Sequence, residues 1–177
     1  MKLGIFVGSF NPVHIGHINI IKELLEKKYV DKVYVVPTMS YWNKNNLIDI
    51  KDRINMLKLV SNDNIIIDEA SNNLTYTYQI LDKYKTLYPD CDIKLIIGAD
   101  NLVNLDKWMN YKKILDYGVI VIGRNKLDIS KYINDNIIVT DISEIDISSA
   151  EIRNNKEKKD KYLDSKVLKY INDNRLY

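Results

Sequence analysis

The chain has 177 residues, 46% of them hydrophobic and 28% charged, proportions that suit one domain with a sizeable core. Its 26 basic and 24 acidic residues leave a formal charge of +2, so nothing points to nucleic acid or an anionic membrane as a partner, while a small anionic substrate in a local basic pocket fits. The one cysteine, Cys91, excludes an intrachain disulfide framework and suits a reducing cytoplasm; beside Pro89 and Asp90 it reads as a small core or edge residue.

In chain order, Met1 to Val7 opens on a strand, Leu3 to Val7, and does not read as a signal peptide. Ile18, Ile21, Leu24 and Leu25 then recur at helical spacing. A strand follows at Lys32 to Val36, a helix through Ile50, Ile54, Leu57, Leu59 and Val60, and a strand at Asn64 to Ile67. A third helix carries Tyr76, Ile80, Leu81 and Tyr84, and strands at Ile93 to Ile97 and Val119 to Ile122 come after it. These strands are rich in Ile and Val with few polar interruptions, as in a parallel sheet covered on both faces. Asn154 to Lys161 reads as a charged, solvated connection, and Val167, Leu168 and Ile171 as an amphipathic closing helix. No apolar run exceeds the length of a buried strand, so no membrane span is expected.

The alternation predicts an α/β fold, a doubly wound parallel sheet with helices on both faces. No composition shift demands a boundary, so one domain over residues 1–177 is expected, with a C-terminal helical subregion from about 147. The sequence does not fix subunit number, and a homo-oligomer is compatible with it. In such sheets ligands bind beyond the carboxyl ends of the strands, where strand order reverses. The residues just after each strand are therefore the site candidates.

After the first strand comes Gly8-Ser9-Phe10-Asn11-Pro12-Val13-His14-Ile15-Gly16-His17. Gly8 and Ser9 permit a tight exit and a close backbone approach to a ligand, and Asn11-Pro12 is a turn signal. The helix then begins near His14 to Gly16, which places His14 and His17 on one face of its N-terminal end, where N–H groups and the dipole favour an anion. Nucleotidyl transfer spreads charge over phosphorus-bound oxygens, and two imidazoles donating hydrogen bonds there would stabilise it. An attacking phosphate is already ionised and needs no general base. The alternative is a pair of incidental surface histidines; that both histidines of the chain fall in this one loop favours function. The lysine-hydroxyl ending of a Walker loop is absent, and two histidines without a third ligand fall short of a zinc site.

This segment resembles the signature of the HxGH nucleotidylyltransferase superfamily. The resemblance implies a Rossmann-like fold and ATP-dependent adenylyl transfer with release of pyrophosphate, assisted by Mg2+ carried on the ATP phosphates and not by a protein metal site. It makes His14 and His17 the catalytic candidates and places ATP against Gly8, Ser9, Phe10 and Gly16. Near the other end, Ile147-Ser148-Ser149-Ala150-Glu151-Ile152-Arg153 reads as a capped helix start with an arginine one turn in, a second anion site. It is similar to the superfamily's ISSTxIR motif, with Ala150 in place of the usual Thr, and adds Ser148, Ser149 and Arg153 to the ATP set. Arg124, just after the fifth strand, is a further ATP candidate.

Three segments point to one branch. Leu74-Thr75-Tyr76-Thr77-Tyr78-Gln79-Ile80-Leu81, Ile96-Ile97-Gly98-Ala99-Asp100-Asn101 with Trp108, and Tyr170 to Tyr177 resemble the SYTxxTL, IIGAD…W and YIxxxxLY segments of bacterial nicotinate-nucleotide adenylyltransferases. This implies ATP and nicotinate mononucleotide as substrates in NAD synthesis, with neither nucleic acid nor membrane as partner. A pyridine ring would lie on the indole of Trp108, its carboxylate would meet hydroxyl and N–H donors near Thr77, and Asp100 would hold a ribose hydroxyl, orient the magnesium shell, or simply cap a helix. After the second strand the family's PPHK segment is replaced by Val36-Pro37-Thr38-Met39-Ser40-Tyr41-Trp42-Asn43-Lys44, in which Lys44 stands for the usual lysine. Asn11 replaces Asp, and Met109 stands where some members carry Tyr. Arg53 fits a family position and reads equally as a solvated helix charge. Alternatives are a nicotinamide-mononucleotide or phosphopantetheine adenylyltransferase and, from another class, a non-catalytic nucleotide-binding protein.

Overall fold

A computed structural model describes residues 1–39, 47–71, 73–123, 129–132, 134–143 and 145–177. Strands β1 (Lys2–Gly8), β2 (Lys32–Pro37), β3 (Ile65–Ile67), β4 (Asp92–Gly98), β5 (Val119–Ile122) and β6 (Ile137–Val139) form one parallel sheet in the order β3-β2-β1-β4-β5-β6. The helices are α1 (Ile15–Glu26), α2 (Ile50–Lys58), α3 (Thr77–Leu87), α4 (Ala99–Leu102), α5 (Tyr111–Tyr117), α6 (Ser149–Arg153), α7 (Lys156–Tyr162) and α8 (Ser165–Asp173). The α/β doubly wound sheet expected from the strand pattern is the observed architecture.

The continuous apolar strands follow from a core on each face, because strand side chains alternate with a period of two. Leu3 and Ile5 of β1, Leu95 and Ile97 of β4, and Val119 and Val121 of β5 pack with Ile80, Leu81 and Tyr84 of α3 and Ile114 of α5. Phe6, Ile96 and Ile120, from the intervening positions, pack with Ile20, Ile21 and Leu24 of α1, Met56 and Leu57 of α2, and Val167 and Ile171 of α8. Strand order reverses between β1 and β4, so the crevice beyond Gly8 and Gly98 is where this topology places a ligand.

Several elements differ from the sequence expectation, which includes no helix at α5. The stretch read as a connection forms α7, a helix with no buried residue. It is held by its termini and its charges: Asn155 Oδ1 accepts from the Lys158 amide at 3.1 Å, and Lys158 Nζ meets Glu151 Oε1 at 2.6 Å. β6 was not anticipated, since three residues at a sheet edge with one of them buried leave little pattern. Among the described residues no helix is long and apolar enough to cross a membrane.

Candidate active site

The loop leaving β1 is shaped by its aromatic residues. Phe10 takes φ +45°, a left-handed conformation that costs a non-glycine residue about 1–2 kcal/mol. The turn carries its ring back under the end of β1, edge-on to Phe6 at 5.4 Å and to His17 at 5.0 Å. A Cβ at Gly8 would lie 3.0 Å from the Phe10 ring, so a larger residue there would make that ring give by a few tenths of an ångström.

His14 is the N-cap of α1 and His17 its third residue, and the two rings lie 3.7 Å apart at 31°. Gly16 allows this, since a Cβ there would sit 3.0 Å from the His14 ring. The His14 amide donates to His17 Nδ1 at 3.3 Å. An accepting Nδ1 puts the proton of the neutral His17 ring on Nε2, which makes Nε2–H a donor. Burial lowers His14 to a pKa of about 4. His17 is also held well below its usual value, first by burial and then by His14. Both rings are therefore uncharged at neutral pH. His14 Nδ1 is buried without a hydrogen-bond partner among the described residues, a polar atom left for something to satisfy.

The C-terminal segment closes on the same loop. Ser148 caps α6 in a reciprocal box with Glu151, as its sequence suggests. Ser149 Oγ donates to Pro12 O at 3.0 Å, and Arg153 Nη1 donates to Asn11 O at 2.6 Å. Tyr177 OH donates to Asn11 Oδ1 at 2.5 Å, and its ring lies 6.0 Å from the Arg153 guanidinium. Arg53 is not a solvated helix charge: it is 1% exposed, and donates to Ser9 O and Thr38 O at 2.8 Å each and to Ile48 O at 3.3 Å. It joins the loops after β1 and β2 from beneath, and its neighbourhood of apolar residues on α2 gave no sign of this in the sequence.

Beyond the ends of β1 and β4 opens a cleft of about 600 Å³. Gly8, Ser9, Thr77 and Trp108 line it, so the structure brings the first loop together with two of the proposed acceptor residues. Thr77 is the first residue of α3, whose N-terminus faces the cleft with Tyr76 as its cap. Asp100 is exposed at the second position of α4 and not its N-cap, which is Gly98; the neighbouring Asn101 lines the cleft instead. Lys107 and Tyr76 also line it and were not singled out from the sequence, although Lys107 adjoins Trp108. Lys44 and Arg124 lie outside the described residues.

Residues 5–155 match the family model described as cytidylyltransferase-like. A Borrelia hermsii protein named as a probable nicotinate-nucleotide adenylyltransferase is 37% identical over 189 residues, covering 100% of this chain and 98% of its own. A Fusobacterium nucleatum protein of the same name is 34% identical over 187 residues, covering 97% of each chain. Among solved structures, the Plasmodium falciparum nicotinic acid mononucleotide adenylyltransferase complexed with NaAD superposes with a TM-score of 0.84 at 22% identity, over 99% of this chain and 97% of that one. At that identity the likeness speaks for the fold.

Proposed function

We propose that this chain, which belongs to the nicotinate-nucleotide adenylyltransferase family of cytidylyltransferase-like proteins, transfers AMP from ATP to nicotinate mononucleotide and releases pyrophosphate in NAD synthesis. The observation that carries the reading is the pair of neutral histidines with rings 3.7 Å apart at the start of α1, at the end of the loop whose Gly8 and Ser9 line the cleft beyond β1 and β4; the histidines themselves are not among the residues that line it. An oxygen of the acceptor phosphate attacks the α-phosphorus of ATP. As that bond forms, the bond to the α,β-bridging oxygen breaks, and pyrophosphate leaves with the electron pair. The attacking phosphate is ionised at neutral pH, so the protein needs to position and to stabilise charge rather than to remove a proton.

His17 offers Nε2–H to the phosphate oxygens where charge gathers, and His14 shares the face. Ser149 and Arg153, tied to the same loop, support the ATP triphosphate together with Ser148, Gly8, Ser9, Phe10 and Gly16. The N-terminus of α3 at Thr77 and the indole of Trp108 receive the pyridine carboxylate and ring, and Asp100 is reserved for a ribose hydroxyl or the hydration shell of the metal. Among the described residues no group of three His, Cys, Asp or Glu converges as a metal site. Magnesium would enter as a companion of ATP, held by phosphate oxygens and water, where it would offset charge on the leaving group. A cytoplasmic setting belongs to the same reading.

Pyrophosphate release from ATP and magnesium, with nicotinate mononucleotide, nicotinamide mononucleotide and phosphopantetheine as parallel acceptors, tests it. The acid mononucleotide should react fastest, and His17→Ala should lower kcat by about 10²–10³ while the protein stays folded. Preference for another acceptor would discard the pocket assignment, and unchanged turnover in His17→Ala would discard the histidine chemistry.

A further inference from the structure

Arg53 is 1% exposed and does not itself line the cleft. Its guanidinium is spent on main-chain carbonyls: Nε donates to Ile48 O at 3.3 Å, and the single nitrogen Nη1 donates to both Ser9 O and Thr38 O at 2.8 Å. Ser9 and Thr38 do line the cleft, and they follow the paired strands β1 and β2. The two loops are joined without the arginine, since Gly8 O accepts from the Thr38 amide at 2.9 Å and from Thr38 Oγ1 at 3.3 Å. What Arg53 adds is direction, because it draws two carbonyls toward one point on the buried side. Burying a cation is costly even when its donors are met, and a join that already exists does not call for one.

A trans peptide unit is planar, with its C=O and N–H pointing opposite ways, and the cis bond of this loop is Asn11–Pro12, outside the two units concerned. Drawing Ser9 O and Thr38 O toward Arg53 therefore turns the Phe10 and Met39 amides away from it, to the side of the cleft. N–H groups that converge from adjacent loops hold an anionic oxygen. Phe10 carries the left-handed φ of +45°, a conformation that persists only where its surroundings fix it, and the bond to Ser9 O fixes the peptide unit on its N-terminal side. On the function proposed above, the acceptor phosphate lies beside this loop because it attacks ATP. We infer that Arg53 is a positioning residue: by orienting the Ser9–Phe10 and Thr38–Met39 peptide units, it presents two main-chain donors to the acceptor phosphate. It acts through those amides and touches no substrate.

The experiment compares wild type, Arg53→Lys and Arg53→Met at saturating ATP, by kcat/KM for nicotinate mononucleotide and by the inhibition constant of nicotinate riboside, the same acceptor without its phosphate. A thermal melt establishes that each variant is folded. Arg53→Met should lose about tenfold or more in kcat/KM for the mononucleotide, while the inhibition constant of the riboside changes by less than about twofold. Arg53→Lys keeps the charge but not the planar fork, so it should recover part of the loss with the riboside again unaffected. Should Arg53→Met not fold, the same comparison in Arg53→Lys decides. Equal weakening of mononucleotide and riboside shows a role in the fold alone, and no loss for the mononucleotide shows no role; either overturns the assignment of Arg53, while wild-type turnover of the mononucleotide leaves the proposed function standing. Wild-type protein that does not turn over the mononucleotide overturns both.

Discussion

Burial lowers the His14 pKa from 6.5 to about 4, so the folded protein keeps this ring neutral where the unfolded chain takes up a proton. Above pH 6.5 neither state is protonated and the contribution of the residue to stability is fully present. As pH falls from 6.5 toward 4 the unfolded state alone gains the proton, and stability is lost, by about 2 kcal/mol at about pH 5. His17 is displaced in the same direction and steepens the loss. Urea unfolding at about pH 7.5 and about pH 5 reads this directly: His14→Asn should lose about 2 kcal/mol less between the two than wild type does. Identical losses would show that His14 is not held neutral. The same neutrality suits the proposed reaction, since an uncharged N–H donor is cheaper to keep dry than an imidazolium, and the charge of bound ATP would then favour protonation only once the substrate is in place.

At the scale of elements, α1 is where sequence and structure agree most closely. The loop after β1 stood out in the sequence because it holds residue types that a core rarely uses: two histidines three apart, with a glycine between them. Gly16 is placed for the His14 ring rather than for the helix. Alanine there should raise helix propensity by up to about 1 kcal/mol, while its Cβ, 3.0 Å from the ring of the buried His14, shifts that ring by a few tenths of an ångström against His17. Gly16→Ala should therefore melt near the wild-type temperature and lose about tenfold or more in kcat; a variant with full kcat would show that the stack is dispensable. The parts that were not legible share one cause, dependence on contacts distant in sequence. Arg53 shares the apolar face of α2 with Met56 and Leu57, and what lets a charge be buried there, the carbonyls of Ser9 and Thr38, lies far away in sequence. α7 carries no apolar stripe, so periodicity could not reveal a helix held by the Asn155 cap and the Lys158–Glu151 pair. Lys107 looks like any surface lysine until the fold brings it to the cleft.

Across the whole molecule, each face of the sheet supports one side of the proposed reaction. The face carrying Phe6, Phe10 and Val13 packs with Ile152, Val167 and Ile171, and there Tyr177 OH and Arg153, both from the C-terminal segment, hold Asn11 near the other end of the chain. The other face carries α3, and its loop is anchored by Asp68. That carboxylate follows β3, is 8% exposed, and accepts from the Ala70 amide at 2.7 Å, the Ser71 amide at 3.0 Å, Tyr84 OH at 2.7 Å and the Ser71 hydroxyl. Burial alone would raise its pKa, but the hydrogen bonds from Ser71, Tyr84 and Ala70 and the charge of Lys83 outweigh it and hold the group below the usual value. Ser71 O in turn receives the Leu74 amide at 3.1 Å, at the edge of the cleft. Asp68→Asn keeps the volume but turns one acceptor into a donor facing Tyr84 or Ser71, a loss of about 1–3 kcal/mol. It should raise KM for the mononucleotide several-fold and leave KM for ATP alone. Tyr177→Ala removes the hydroxyl from Asn11 and the ring from Arg153, and should do the reverse, raising KM for ATP, with a fall in Tm of about 2–4 °C per kcal/mol lost. Because the two anchors lie on opposite faces of a rigid sheet, their effects should add in the double variant. If either substitution raised both KM values alike, the sheet would be transmitting strain from one face to the other, and the two substrate sites would have to be treated as one cooperative unit.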